Sequence, residues 1–310
     1  FDTSKLRDYG KLARLDLTAE TKARVEKDSH KKNQHDFVLW FTKSKFQEQE
    51  MKWLSPFGTG YPGWHIECSA MSSTYLGKQF DIHCGGIDHI PVHHTNEIAQ
   101  SEAATGKKPW VKYWLHNAFL ELAGGAKMAK SGENFITLST VEEKGFHPLD
   151  YRYFCLGTHY RNPLMFSGEA LEGVKITRKR LNEKCLEFKS SKDPEHKSLQ
   201  QHYMERLMQE INDDLNTPKV LATVWDMLKD EQLSKKDKYT LLLKCDEVLG
   251  LDLKKIKKDR IPPEITALAQ ERLLARNNKD WKTSDKLREK IAQQGYVVGD
   301  TKDGYELRKR

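Results

Sequence analysis

At 310 residues the chain is long enough for two or three compact units. Apolar residues make up 37% and charged residues 31%, which excludes a low-complexity or membrane-embedded chain and fits a packed core under a heavily solvated surface. The formal charge of +7 favours a polyanionic partner by long-range steering, without naming one.

Cys68, Cys84, Cys155, Cys185 and Cys245 are widely spaced, odd in number and free of any C-x-x-C pair. That pattern excludes a dense disulfide framework and points to a reducing compartment, the cytoplasm. No apolar run approaches the roughly 20 residues that span a bilayer, so no membrane association is expected.

Residues 5–36 are polar and charge-rich and read as a surface insertion. Apolar residues return at Phe37–Phe41, a short strand or helix start. The loop Ser55–Gly63 is dense in Gly and Pro, and Trp64–Tyr75 behind it has helical composition with Gly77 as its stop. A strand over Phe80–Cys84 runs into Gly85-Gly86, and a helix over residues 93–104 ends before Gly106. Strand, glycine turn and helix form the grammar of a nucleotide-binding α/β unit, with ligands outside the carboxyl ends of the strands. A second such unit covers Trp114–Leu122, ahead of the loop Gly124-Gly125-Ala126-Lys127. After about Pro148, apolar residues spaced by three and four predict amphipathic helices, with further helical blocks at 197–211, 217–229 and 237–249. The basic run Lys254–Arg260 before Ile261-Pro262-Pro263 marks the start of a small terminal unit.

Two clusters carry chemistry. His93 and Glu97 are four apart and share one helix face, and Cys68 adds a thiolate; this mixture suits Zn²⁺. His83, Cys84, His89 and His94 are rival donors, and chemistry alone leaves the choice open. Lys127 and Lys130, three apart on a glycine-flanked loop, are placed to neutralise nucleotide phosphates as pyrophosphate departs. Asp88, after Gly85-Gly86, stands where an acidic side chain accepts hydrogen bonds from a ribose.

The wording around these residues resembles one family. Gly63-Trp64-His65-Ile66-Glu67-Cys68-Ser69-Ala70-Met71, Gly85–Glu102 and Lys127-Met128-Ala129-Lys130-Ser131 are similar to the GWHIECSAM, GG-x-D…HHENEIAQSE and KMSKS segments of cysteinyl-tRNA synthetases, a class I family. The resemblance implies one zinc ion per chain on Cys68, His93 and Glu97, with Cys84 and His94 not ligands. It implies that Trp64 and Cys68 face the substrate cysteine. Asp88, His116, Lys127, Met128 and Lys130 then face ATP, which brings Mg²⁺, and Lys127 and Lys130 are the catalytic pair. Ala129 and Glu133 depart from the family pattern. The physical purpose of zinc stands apart from the family: it binds a thiolate and takes a neutral hydroxyl poorly, and a cysteine-over-serine preference of about 10⁴ needs about 5.5 kcal/mol.

His159-Tyr160-Arg161-Asn162-Pro163-Leu164, Asp213–Pro218 and the run Trp281–Gly304 resemble the family's HYR-x-PL, DDDLNTP and terminal W-x-x-x-D-x-x-R…G…DT-x-x-G segments. The resemblance implies a Rossmann-like α/β class I catalytic domain over 1–147, a connecting region and helical tRNA-binding bundle over 148–250, and a small anticodon-recognition domain over 251–310. The expected protein is a monomeric cytoplasmic ligase for L-cysteine, ATP and tRNA(Cys). Neither the family's HIGH motif nor its first zinc cysteine is found, so the chain is expected to lack an amino-terminal portion and to need it for activity. A mycothiol-type ligase joining cysteine to an amino sugar, and a catalytically silent tRNA-binding relative, are the alternatives.

Overall fold

The computed structural model describes residues 1–17, 31–43, 50–122, 136–257, 261–301 and 304–309. They belong to two compact units that interleave in sequence: Phe1–Arg178 with His202–Asp226, and Lys179–Gln201 with Met227–Arg310. The loop expected to meet phosphates, with Lys127, Met128 and Lys130, lies outside the described residues.

In the first unit, β1 (Trp40–Phe41) pairs antiparallel with β2 (Tyr61–Pro62), and α1 (Trp64–Leu76) follows at once. Gly77 ends α1 at φ 89°, a left-handed conformation that a side chain would strain. Next come β3 (Phe80–Gly86), a 3₁₀ turn (Ile87–His89), a π turn (Ile90–His94), α2 (Thr95–Thr105) and β4 (Val111–Asn117). β3 and β4 run parallel, with His83 opposite Trp114 and Gly85 opposite His116. Phe80, Ile98, Trp110 and Val111 form the core between this pair and α2, with Leu12 and Trp114 packed against it. This strand–helix–strand unit is the Rossmann-like element that the glycine pattern foretells.

A second parallel pair joins β5 (Leu120–Leu122) to β6 (Leu164–Phe166). Between them lie α3 (Leu138–Glu143) and α4 (Pro148–Leu156), over a core of Val141, Phe154, Phe166 and Leu171. Asp150, buried in the first turn of α4, closes a reciprocal cap with His147 and takes Arg178 Nε at 2.6 Å.

The long helices are α5 (Gly168–Lys189), α6 (Lys197–Asn212), α7 (Thr217–Lys229) and α8 (Lys235–Leu249). α9 (Pro263–Asn277) and α10 (Trp281–Gln293) then pack on the hairpin β7 (Tyr296–Thr301) and β8 (Gly304–Lys309) around Ile265, Ala269, Ile291 and Val298. Arg272, itself buried, donates both terminal nitrogens to Asp300 at 2.7 and 3.3 Å, which ties the hairpin to α9. Among the described residues no helix is long and apolar enough to cross a membrane.

Residues 5–17, expected as part of a surface insertion, instead reach the core. Tyr9 is buried and donates to Asn96 at 2.7 Å, and Lys11 pairs with Glu102 at 2.8 Å. Charge density misled here because Lys11 serves a buried acid on α2, Glu102.

In the second unit one carboxylate organises a junction. Asp237 is fully buried and accepts from His196 N at 2.8 Å, Gln200 Nε2 at 2.6 Å and Ser234 Oγ at 2.8 Å. Burial opposes its charge, but these donors hold its carboxyl well below the usual carboxylate range. Its stabilisation is therefore present above the unfolded-state value and fades as pH falls towards the folded one. Asp237→Ala should cost about 3 kcal/mol in chemical denaturation at neutral pH, by stranding buried donors. The deficit relative to the parent protein should shrink below about pH 4, where the parent starts to lose the carboxylate's contribution.

Candidate metal and nucleotide site

α2 is buried along Thr95–Glu102 although its sequence, TNEIAQSE, is largely polar. It stays in the core because its side chains find partners. Asn96 accepts from Tyr9, Gln100 donates to His65 O at 2.7 Å and Ser69 Oγ at 2.6 Å, and Ser101 donates to Ser69 Oγ at 2.9 Å. Glu102 accepts from Lys11 and from Trp110 N at 3.2 Å.

Glu97 is the charged exception. It is 0% exposed, and neither carboxylate oxygen has a hydrogen-bond partner of good geometry. His93 Nε2 lies 3.0 Å from Oε1 and His83 Nε2 lies 3.2 Å from Oε2, close but off-axis. Burial alone would raise this carboxyl, yet the two imidazoles bring it down to about 2. A buried anion without well-directed donors is what a cation ligand looks like before the cation arrives.

Cys68 completes the group from the next element. It stands one turn after Trp64 on α1, half-buried, and the donor atoms of Cys68, His93 and Glu97 lie within 4.8 Å of one another. A thiolate from α1, an imidazole from the π turn and a carboxylate from α2 fit an N/S/O-binding ion. Burial, and then the Glu97 charge, push the metal-free thiol up to about 11. His83, His94 and Glu97 form a second group at the same separation and share the carboxylate. Cys84 is exposed and joins neither group.

Trp64 opens α1 and leaves 64% of its surface exposed, with its ring 5.0 Å from His93 and 6.3 Å from His89. From that exposed position its ring packs on His93, one of the three donors. Asp88 lies in the 3₁₀ turn after β3, exposed, with Oδ1 2.4 Å from where a Cβ on Gly86 would sit. His116, at the end of β4, is buried, and its Nε2 lies 2.8 Å from His94 Nδ1. Burial lowers the pKa of both, His94 to about 3, so both imidazoles stay neutral.

His65 is a member of the cluster that composition does not single out. Its Nδ1 lies 2.8 Å from His93 Nδ1, and burial together with His93 brings it down to about 4. The signal for it was its position three residues before Cys68, on the same face of α1.

The chain matches two family models: tRNA synthetases class I (C) catalytic domain over residues 1–176, and the cysteinyl-tRNA ligase anticodon binding domain over residues 258–308. A cysteine–tRNA ligase of Treponema denticola is 44% identical over 331 residues, covering 97% of this chain and 67% of that protein. A cysteine–tRNA ligase of Borrelia turicatae is 43% identical, covering 100% of this chain and 68% of that protein. The chain thus spans about two thirds of the length of these relatives. The expectation of a missing amino-terminal portion, needed for activity, meets a class I catalytic-domain match over residues 1–176 and relatives matched over 97% and 100% of this chain, so catalytic-domain sequence is present from residue 1 onward. That expectation rested on a search for two short motifs, whereas the match rests on the pattern of residues 1–176.

The raised thiol makes metal uptake a proton exchange. A metal bound at Cys68 must displace its proton, so affinity should climb about tenfold per pH unit through the neutral range. Calorimetry of zinc binding in buffers of different ionisation heat should show proton release that Cys68→Ser abolishes. Uptake independent of pH would remove Cys68 from the ligand set.

Proposed function

The chain belongs to the family of cysteine–tRNA ligases, class I tRNA synthetases, and from that premise we propose how its residues divide the work of joining cysteine to tRNA. The observation that carries the reading is the buried, poorly partnered Glu97 facing Cys68 and His93. Those three side chains would hold one Zn²⁺. When bound, the ion supplies a soft acceptor for a thiolate and a poor one for a hydroxyl, the one difference between cysteine and serine that a pocket wall cannot read by size.

Trp64, packed on His93, would close over the substrate side chain. Asp88, at the end of β3, is placed for ribose hydroxyls. His116 would border the adenine; it is buried against His94, so its contribution is to shape the wall. Lys127 and Lys130 would neutralise charge on the α-phosphate and pyrophosphate of Mg²⁺–ATP as the adenylate forms, with Met128 between them. tRNA(Cys) would then take the activated cysteine, and the unit over 258–308 would meet its anticodon. The match over 258–308 also favours this reading over a ligase for an amino sugar.

Cys68→Ala, His93→Ala and Glu97→Ala should each weaken cysteine binding far more than ATP binding. Lys127→Ala and Lys130→Ala should spare cysteine binding and slow single-turnover adenylate formation by about a hundredfold, or about 3 kcal/mol. Unchanged cysteine affinity in the first three variants would dismiss the metal site; unchanged adenylate formation in the last two would return both lysines to the solvated surface.

Leu251 and Leu253 are buried, and the Leu253 carbonyl accepts from Cys185 Sγ on α5 at 3.6 Å, so a clean removal of the terminal domain begins after residue 257. Truncation there should leave cysteine-dependent ATP–pyrophosphate exchange largely intact and sharply reduce charging of tRNA(Cys). Equal charging by intact and truncated protein would refute the role of the tail. Exchange without any charging by the intact protein would favour the amino-sugar ligase, and absence of both would favour a silent relative.

A further inference from the structure

His83 touches a proposed metal ligand, Glu97, without belonging to the Cys68–His93–Glu97 group. We propose that His83 is a positioning residue: its Nε2 holds Oε2 of Glu97 so that Oε1 is presented to a metal ion shared with Cys68 and His93. The inference rests on the metal-site reading above.

The argument starts from the carboxylate. Without metal, Glu97 divides its two oxygens between two imidazoles, neither contact being well aligned. A cation that takes Oε1 together with His93 Nε2 leaves Oε2 with His83 as its remaining neighbour of this pair. A glutamate has enough side-chain rotors to turn away from an ion, and ligating carboxylates are held by a further hydrogen bond for this reason. His83 is suited to that task because its own ring cannot move freely. It sits on β3 with ring centroids of Trp114 at 4.9 Å, Trp110 at 5.8 Å, Phe80 at 5.7 Å and His94 at 4.7 Å.

The competing assignment makes His83 itself a ligand, with His94 and Glu97. Charge disfavours it. The Cys68 group sets a thiolate and a carboxylate against a divalent ion, whereas the other offers one carboxylate and two imidazoles in a buried place. His94 Nδ1 is also engaged with His116.

The test compares H83F, H83Q and C68A with the parent protein by zinc competition against a chelator, and by cobalt(II) absorption. H83F keeps an aromatic ring in the packing but has no donor; H83Q keeps an N–H that reaches towards Oε2. H83F should weaken zinc binding by about 10–100-fold and shift the cobalt ligand-field bands. H83Q should restore most of the affinity, and C68A should lose tight binding together with the thiolate charge-transfer band. Parent-like zinc affinity and cobalt spectrum in H83F, with C68A defective, would overturn the role of His83 and leave the metal site standing. Equal losses in H83F and H83Q would also overturn it, since a donor at this position would then not matter. Parent-like zinc binding in C68A would overturn the metal-site reading itself.

Discussion

Glu97 imposes the constraint on which the first unit depends. A carboxylate with no exposed surface is costly in a packed interior unless positive charge or donors surround it. The chain does not meet that cost with lysine or arginine at Glu97; it brings imidazoles from β3 and from the turn before α2. The rest of α2 is organised so that this helix can be buried at all. Tyr9 and Lys11 reach in from the amino-terminal residues, Ser69 and the His65 carbonyl from α1, and Trp110 N from the approach to β4. The contacts fix α2 against three different parts of the unit, and together they fix where Glu97 stands relative to Cys68.

Two further histidines of the cluster are kept in one protonation state by burial. His65 and His94 are pulled down to about 4 and about 3, so near neutrality they are dipoles and not charges. That matters for the proposed metal site, because a ring of cations would repel a divalent ion. Trp110 and Trp114 add apolar walls behind the imidazoles, which limits water near the carboxylate and strengthens each remaining electrostatic contact. Trp64, with most of its surface exposed, is the aromatic on the open side.

Much of this was legible in the sequence, for identifiable reasons. Gly77 and Gly106 bound α1 and α2 as read, because helix ends with left-handed glycine carry a local signal. The spacing of His93 and Glu97 survives even though His93 lies in a π turn and not in α2 proper, because the turn leads straight into the helix. What could not be read were pairings distant in the chain. Lys11, which pairs with Glu102, looked like solvated charge, since composition cannot tell a basic residue in water from one serving a buried acid, and Tyr9, bonded to Asn96, sat inside the same polar run. The interleaving of the two units escaped a left-to-right reading for the same reason, which favours contiguous boundaries.

The segments His159-Tyr160-Arg161 and Asp213–Pro218 illustrate how two motifs become one joint. Asp214 and Leu215 both hold positive φ, 55° and 56°, an uncommon pair for residues with side chains. The turn is braced from outside: Tyr160 OH donates to Asp214 Oδ1 at 2.6 Å and Arg161 Nε donates to Oδ2. Such half-exposed pairs contribute little energy singly, about 0–1 kcal/mol, so their effect lies in geometry. Tyr160 also accepts, through its carbonyl, the backbone N–H of Ala118 at 2.8 Å, directly beyond the strand that ends near His116. A strained turn between two helices is thereby linked to the carboxyl end of β4, where the nucleotide is proposed to lie. The loop 158–163 is held from both sides, and this explains why three consecutive side chains with hydrogen-bonding capacity occur where a connection between helix and strand could have used almost any residues.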